Sequence, residues 1–327
     1  MGYSLCVLGC GTMGIAILSG VVASLEARNS AVSDSPNDGQ SFPAQLSKLQ
    51  KWELHTSGTS TPLAVPDPEA SLPSRFIACV SREESVKRLK HTFHGRGSLS
   101  EAVEIVAGKN IGSIREADVV LLCCKPQLAH AILSEPGLKE ALEGKLLISI
   151  LAGVTMAQLK SWVSPTTRVV RAMPNTPCKI REGMTVVSTL QPGIDVELDR
   201  QIILNIFSSI GRCRFLDEKH FDACTALSGS GPAFACIFLE AMVDGGVMMG
   251  LPRAEALELA AQTLQGAARM ALQAGAHPAQ IKDAVTTPGG CTIAGLLTLE
   301  DGKVRSTIAR AIQVASERAS ELGQPKR

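Results

Sequence analysis

Three features of the sequence predict an α/β domain with a doubly wound, mostly parallel sheet, followed by a separate all-α domain. Short Val- and Ile-rich runs alternate with helix-like segments through the first two-thirds of the chain. A glycine-rich hexapeptide, Gly9-Cys10-Gly11-Thr12-Met13-Gly14, stands where the first such run meets the first helix. Beyond Asp217 the strand signal almost vanishes and Ala, Gly and Leu dominate. Parallel strands covered by helices on both faces read as unbroken apolar runs, which is the pattern here. The expected division is 1–217 and 218–327.

In the first part, strands are expected at Ser4–Leu8, Phe76–Val80, Val119–Cys124, Leu146–Leu151, Arg168–Ala172 and Met184–Ser188. Helices are expected at Met13–Leu25, Glu83–His91, Leu128–Leu133 and Thr155–Trp162. The stretch Ala27–Ser74 is rich in Ser, Pro, Asp and Thr and has no sustained period, so it reads as an irregular surface insertion. Phe42, Leu46, Leu49 and Trp52 are its candidates for a short docked helix. The second part reads as successive helices at Phe221–Leu227, Pro232–Met249, Arg253–Ala274, Pro278–Val285, Thr292–Asp301 and Lys303–Leu322. Proline near several of their starts suits a first helical turn. A small unit of such helices is expected to complete its core with a second copy, giving a homodimer.

Composition removes several function classes. With 32 Lys+Arg against 31 Asp+Glu there is no basic surplus to attract nucleic acid or an anionic membrane. No stretch approaches the roughly 18 uncharged apolar residues of a membrane span, so no membrane association is expected. The N-terminal residues lack the features of a secretory signal or transit peptide. The ten cysteines show neither C-x-x-C nor zinc spacing, and several lie in apolar runs. They read as thiols of a reducing compartment, so the expected location is cytoplasmic.

The hexapeptide has the spacing of a dinucleotide fingerprint, in the strand-to-helix context that gives the fingerprint meaning. Gly9 permits the tight turn, Gly11 lets the pyrophosphate approach the backbone, and Gly14 allows close helix–strand packing. N–H groups at the helix start, with Thr12 and Met13 in its first turn, then hold the anion. The first domain is therefore expected to be a Rossmann nucleotide-binding domain. At the end of the second strand an NAD binder carries a carboxylate for the ribose 2′-hydroxyl. This chain has Ser81 and Arg82 there, which suits the 2′-phosphate of NADPH. The competing reading makes Ser81 only a cap for the helix beginning at Glu83. Lys125 and Pro126 end the third expected strand, where Lys125 is a candidate contact to the nicotinamide ribose or a phosphate. The stiff Met173-Pro174-Asn175-Thr176-Pro177 loop, with Asn175, suits a wall of the nicotinamide pocket.

In the second part the sharpest feature is Lys282–Thr292, where a helix ends in two hydroxyls and a Pro-Gly-Gly turn before another begins. Exposed N–H groups with nothing bulky in front make a site for a small carboxylate. A plain helix–helix connection with a threonine cap explains the same residues. The six histidines form no metal or triad arrangement, and no nucleophile elbow, zinc-protease motif, P-loop or paired-carboxylate signature appears. Imine reduction fits such a chain, because a protonated imine needs mainly orientation against a hydride donor.

Over nearly its whole length the sequence resembles pyrroline-5-carboxylate reductases. The resemblance rests on Gly9–Gly14, Lys125–Gln127, Ile148–Val154, Arg171–Pro177, Asp222–Ala233, Asp244–Arg253 and His277–Ile293. It implies a Rossmann domain followed by an interleaved helical dimerisation domain, dimers that often assemble into decamers, and reduction of 1-pyrroline-5-carboxylate to proline, with NADPH or NADH accepted. It further implies that the substrate carboxylate lies on the loop of Thr287, Gly289, Gly290, Cys291 and Thr292, with the Thr292 hydroxyl reaching the ring nitrogen. Two departures stand out: Thr12 replaces an asparagine common in the fingerprint, and the Ala27–Ser74 insertion is unusually long. Two rival readings are weighed against this one. A ketone reductase would need an acid such as Lys282. A non-enzymatic nucleotide sensor would rest on the insertion alone.

Overall fold

The computed structural model describes residues 2–33, 69–95, 97–193, 195–274 and 277–322. The chain divides into two compact units, Met1–Glu218 and Lys219–Arg327. In unit 1 the strands are β1 (Tyr3–Leu8), β2 (Pro73–Val80), β3 (Glu104–Ala107), β4 (Val119–Leu122), β5 (Leu146–Ser149), β6 (Arg168–Met173), β7 (Gly183–Ser188) and β8 (Gly211–Leu216). Helices α1 (Thr12–Ser33), α2 (Glu83–Phe93), α3 (Ser98–Glu101), α4 (Asn110–Arg115), α5 (Ala129–Leu133), α6 (Leu138–Ala141), α7 (Met156–Trp162) and α8 (Val196–Ser208) connect them. Short 3-10 turns at Pro126–Leu128 and Thr176–Ile180 follow β4 and β6.

One eight-stranded sheet runs in the order β3-β2-β1-β4-β5-β6-β7-β8. The first six strands are parallel, β7 runs antiparallel to β6, and β8 is parallel to β7. Alternation along β1 assigns its side chains to two cores. Leu5 and Val7 join Ile17, Leu18 and Phe207 on one face, and Cys6 and Leu8 join Ile114, Leu133 and Leu159 on the other. All ten cysteines are free thiols. Cys6 and Cys79 are buried on neighbouring strands with their Sγ atoms 3.7 Å apart, and this sulfur contact, followed by burial, pushes the Cys6 thiol far above its ordinary range.

Several expectations are corrected. Both ends of the expected irregular segment 27–74 are regular structure. Helix α1 continues to Ser33, because Ala27–Ser33 contains neither glycine nor proline, and β2 already begins at Pro73. The candidate helix residues Phe42, Leu46, Leu49 and Trp52 lie outside the described residues. Strands β3 and β8 and helices α3, α4, α6 and α8 were not anticipated. Strand β3 has only four residues, and β8 breaks its apolar run with Arg212 and Arg214.

Unit 2 consists of helices α9 (Phe221–Cys224), α10 (Gly231–Met248), α11 (Arg253–Ala274), α12 (Pro278–Ala284), α13 (Cys291–Asp301) and α14 (Val304–Leu322). The expected break at Ser228–Pro232 is absent. A π-turn over Thr225–Gly229, with Ser230 N–H on the Thr225 carbonyl, carries the helix through. The continuous run Glu218–Met248 is thereby long and apolar enough to cross a membrane by length and composition. This contradicts the expectation that no segment would qualify; a scan for an unbroken apolar run stops at the Ser and Gly residues the helix passes through. The core of this unit is sparse. Val243, Ala256 and Ala260 form its main buried cluster, while Leu227, Ile237, Met248 and Met249 are two-thirds or more exposed.

Phe207 on α8 is fully buried against the sheet face that carries α1. Phe207→Ala is expected to lower unfolding stability by about 3–5 kcal/mol, checked by urea titration at fixed protomer concentration.

Candidate active site

The sheet order reverses between β1 and β4, and an open α/β sheet binds ligands in the crevice at such a reversal, beyond the carboxyl ends of its strands. Gly9 stands there with φ +80, and a Cβ on it would lie 2.8 Å from the backbone N and Cα of Cys124. Gly9 and Cys10 N–H groups both donate to the Cys79 carbonyl at the end of β2, and Cys123 N–H donates to the Leu8 carbonyl. The cofactor loop is thus laced to both neighbouring strands. A Cβ on Gly14 would meet Val7 Cγ1 at 3.0 Å, so α1 packs directly on β1.

At Gly11 a Cβ would find nothing nearer than 3.9 Å, so the space before the loop is open. The α1 ladder begins with Ile15 N–H on the Gly11 carbonyl, which leaves the N–H groups of Thr12, Met13 and Gly14 in the first turn without intrahelical acceptors. An open approach in front of aligned donors fits a pyrophosphate.

Ser81 and Arg82 follow β2 and are exposed. Arg82 itself is the N-cap of α2, and no side chain caps that helix. The capping role considered for Ser81 is therefore not used. Lys125 is exposed at the end of β4, its carbonyl accepting from Leu128 N–H and its course set by Pro126. Asn175 is half-buried after β6, and its Oδ1 accepts from Met184 N–H at 2.8 Å. That oxygen holds the loop against β7.

A cavity of about 510 Å³ opens at Thr12 and follows the outer face of α1 to Ala23, walled by Arg88, Thr92 and Lys179. Its mouth lies at Thr12, in the same first turn of α1 that presents the free N–H groups.

The five residues expected to bind substrate lie together in unit 2. His277 Nδ1 accepts from Ala279 N–H and Gln280 Oε1 accepts from His277 N–H, a reciprocal cap that starts α12. Lys282 at its end is paired with Asp283 at 2.6 Å, and its carbonyl accepts from the Thr286 hydroxyl. Gly290 N–H then donates to the Thr287 carbonyl across a turn with Gly289 at φ +68, the type II form that proline and glycine favour. A Cβ on Gly290 would lie 2.4 Å from Thr287 Oγ1 and 3.2 Å from its carbonyl oxygen, so a larger residue there requires Thr287 to shift. Helix α13 starts at Cys291 with Gly290 as its N-cap, no side-chain cap and no acid in its first turn. Cys291 is exposed and Thr292 half-buried, second in the helix. This is an uncapped, positively polarised helix start behind a bare turn, suited to a small carboxylate.

Two residues escaped the sequence reading. Arg171 is buried on β6 and pairs with Glu218 at 3.0 Å. An arginine inside the apolar run Val169-Val170-Arg171-Ala172-Met173 is the signal that points to such a partner, because a buried guanidinium requires one.

Comparison with known proteins supplies the family. A model of the pyrroline-5-carboxylate reductase dimerisation segment matches residues 218–322, and a model of the coenzyme F420-dependent NADP oxidoreductase domain matches residues 68–153. A pyrroline-5-carboxylate reductase of Lophium arboricola is 45% identical, over 98% of this chain and 93% of the relative. The chain belongs to the pyrroline-5-carboxylate reductase family. The reductase of Schizosaccharomyces pombe is 44% identical over 98% of this chain and 99% of its own. Among solved structures, the pyrroline-5-carboxylate reductase of Coxiella burnetii aligns with a TM-score of 0.75 at 27% identity over 99% of both chains. That of Plasmodium falciparum, with NADP bound, aligns at 0.68 and 25% identity over 98% of both. For this family member, Arg82→Ala is expected to raise the Michaelis constant for NADPH more than that for NADH. Equal changes in a two-cofactor kinetic comparison would remove Arg82 from 2′-phosphate recognition.

Proposed function

We propose that the chain reduces the C=N bond of 1-pyrroline-5-carboxylate to give L-proline, the last step of proline biosynthesis, with NADPH as hydride donor and NADH as the alternative. The observation that carries this reading is the pairing, in one chain of this family, of an open nucleotide cradle at Gly11 with an uncapped helix start at Cys291. Gly9, Gly11, Thr12, Met13 and Gly14 would hold the pyrophosphate, Ser81 and Arg82 the 2′-phosphate, and Lys125, Pro126 and Asn175 the nicotinamide side. When bound, the nicotinamide supplies the hydride. The first-turn N–H groups of α13, behind Thr287, Gly289 and Gly290, receive the substrate carboxylate. The Thr292 hydroxyl hydrogen-bonds the ring nitrogen and orients the imine carbon. Pairing of Lys282 with Asp283 weighs against its use as the acid a ketone reductase would need.

The working form is a homodimer, with assembly to a decamer. The sparse core of unit 2 and the match to a dimerisation segment support a partner copy over its apolar helices. On this reading the apolar run Glu218–Met248 meets protein and not a bilayer, and a near-neutral net charge argues against nucleic acid. Ten free thiols support a cytoplasmic setting.

Purified protein is expected to oxidise NADPH, followed by its absorbance, when given the cyclic imine, and to ignore simple ketones. No oxidation with either cofactor by folded protein would sink the assignment. Thr292→Ala is expected to lower imine turnover by about tenfold or more and to leave NADPH affinity within about twofold. Undiminished turnover would exclude Thr292 from the reaction. Sedimentation equilibrium is expected to return two or ten protomers, and a monomer would refute the assembly.

A further inference from the structure

We infer that Glu218 is a positioning residue for the nicotinamide half of the cofactor, acting through Arg171 and the start of α7. The inference rests on the proposed cofactor crevice and adds to it a support that no fingerprint residue provides.

Two loops leave the carboxyl edge of the sheet beside the nucleotide loop. One runs from β5 into α7 through Ile150–Thr155, turning at Gly153 with φ +75, and the other leaves β6 at Pro174 and Asn175. The end of each is held by the same carboxylate. Glu218 Oε1 accepts from Met156 N–H, the first residue of α7, at 2.8 Å, and from Arg171 Nη1 on β6 at 3.0 Å. The α7 start is otherwise capped only locally: the Thr155 hydroxyl accepts from Gln158 N–H, and Gln158 Oε1 accepts from Thr155 N–H. Those bonds close the first turn on itself and tie it to nothing else. Glu218 is the group that fixes this turn relative to β6. The chain continues to β7, because Arg171 N–H donates to the buried Ser188 Oγ.

The arrangement is poorly explained as a plain stability device. A buried arginine loses much of its hydration, and an ion pair there contributes little net stability compared with apolar packing. A single carboxylate oxygen that accepts from both a helix-start N–H and a buried guanidinium instead sets distance and direction. What it sets is the gap between the β5 and β6 loops, the pair that would flank the nicotinamide side of the crevice. The fingerprint loop and Ser81–Arg82, which would hold the rest of the cofactor, are built on β1, β2 and β4 and share no contact with Glu218 in this network.

The test is therefore a split between two ligands of one crevice. NADPH spans both halves, whereas adenosine 2′,5′-bisphosphate carries only the adenosine and 2′-phosphate end. In Glu218→Ala, the NADPH dissociation constant, read from cofactor fluorescence, is expected to rise about tenfold, and that of adenosine 2′,5′-bisphosphate to stay within about twofold. Glu218→Gln keeps the Oε1 acceptor and is expected to stay within about threefold of the unmodified protein for both ligands. If the alanine variant does not fold, Glu218→Asp retains the charge but is one methylene too short to reach both donors, and the same split is expected. Equal weakening of both ligands, or no weakening of either, overturns the inference while leaving the crevice itself intact. An unmodified protein that binds neither ligand overturns the inference together with the cofactor reading beneath it.

Discussion

The close approach of Gly9 to Cys124 is the constraint on which the nucleotide edge depends. It sits where the strand order turns back on itself, so the loops after β1 and β4 share one narrow space. A side chain at position 9 would push them apart and would also be asked to adopt a left-handed backbone. With the loops in contact, the carbonyl of Cys79 can accept two N–H groups from the glycine-rich turn, and α1 begins at a fixed height above the sheet. The open space at Gly11 and the direction of the first-turn donors both follow from that height.

How much of this was legible in the sequence depended on the range of the interaction. The central strands were legible because both faces are buried, so Leu5–Leu8 and Val119–Leu122 are apolar without interruption. The fingerprint was legible because its three glycines act within six residues of chain. Strand β8 was hidden by Arg212 and Arg214, and α8 by the absence of any neighbouring motif. Glu218 and Arg171 are 47 residues apart, and nothing local says that they meet. Asn175 was read as a pocket wall, and the fold shows that its oxygen is committed to Met184.

Unit 2 obeys different rules. Its turns are specified tightly, down to a left-handed glycine at 289, yet its helices bury few large side chains of their own. Precision at the loops is combined with large exposed apolar faces at Ile237, Met248 and Met249. The turn geometry is encoded locally, whereas the packing of the faces is left to a surface outside the unit. The π-turn at Thr225–Gly229 belongs to the same pattern: it keeps a long apolar helix continuous where the sequence alone suggests a break.

The strand order also bears on how the chain is made. β1 is central in the sheet but first off the ribosome, and Ser4 is 114 residues from Asp118, which begins the segment that pairs on its far side. At about 5–20 residues per second that gap lasts roughly 5 to 25 seconds. Until β2 emerges both edges of an almost wholly apolar strand are open, with α1 as its first cover, and the edge that β4 takes stays open to the end of the gap. Nascent chains of this topology present to the synthesis machinery a sheet open on one flank, and the exposure of that flank is set by the length of what separates β1 from β4.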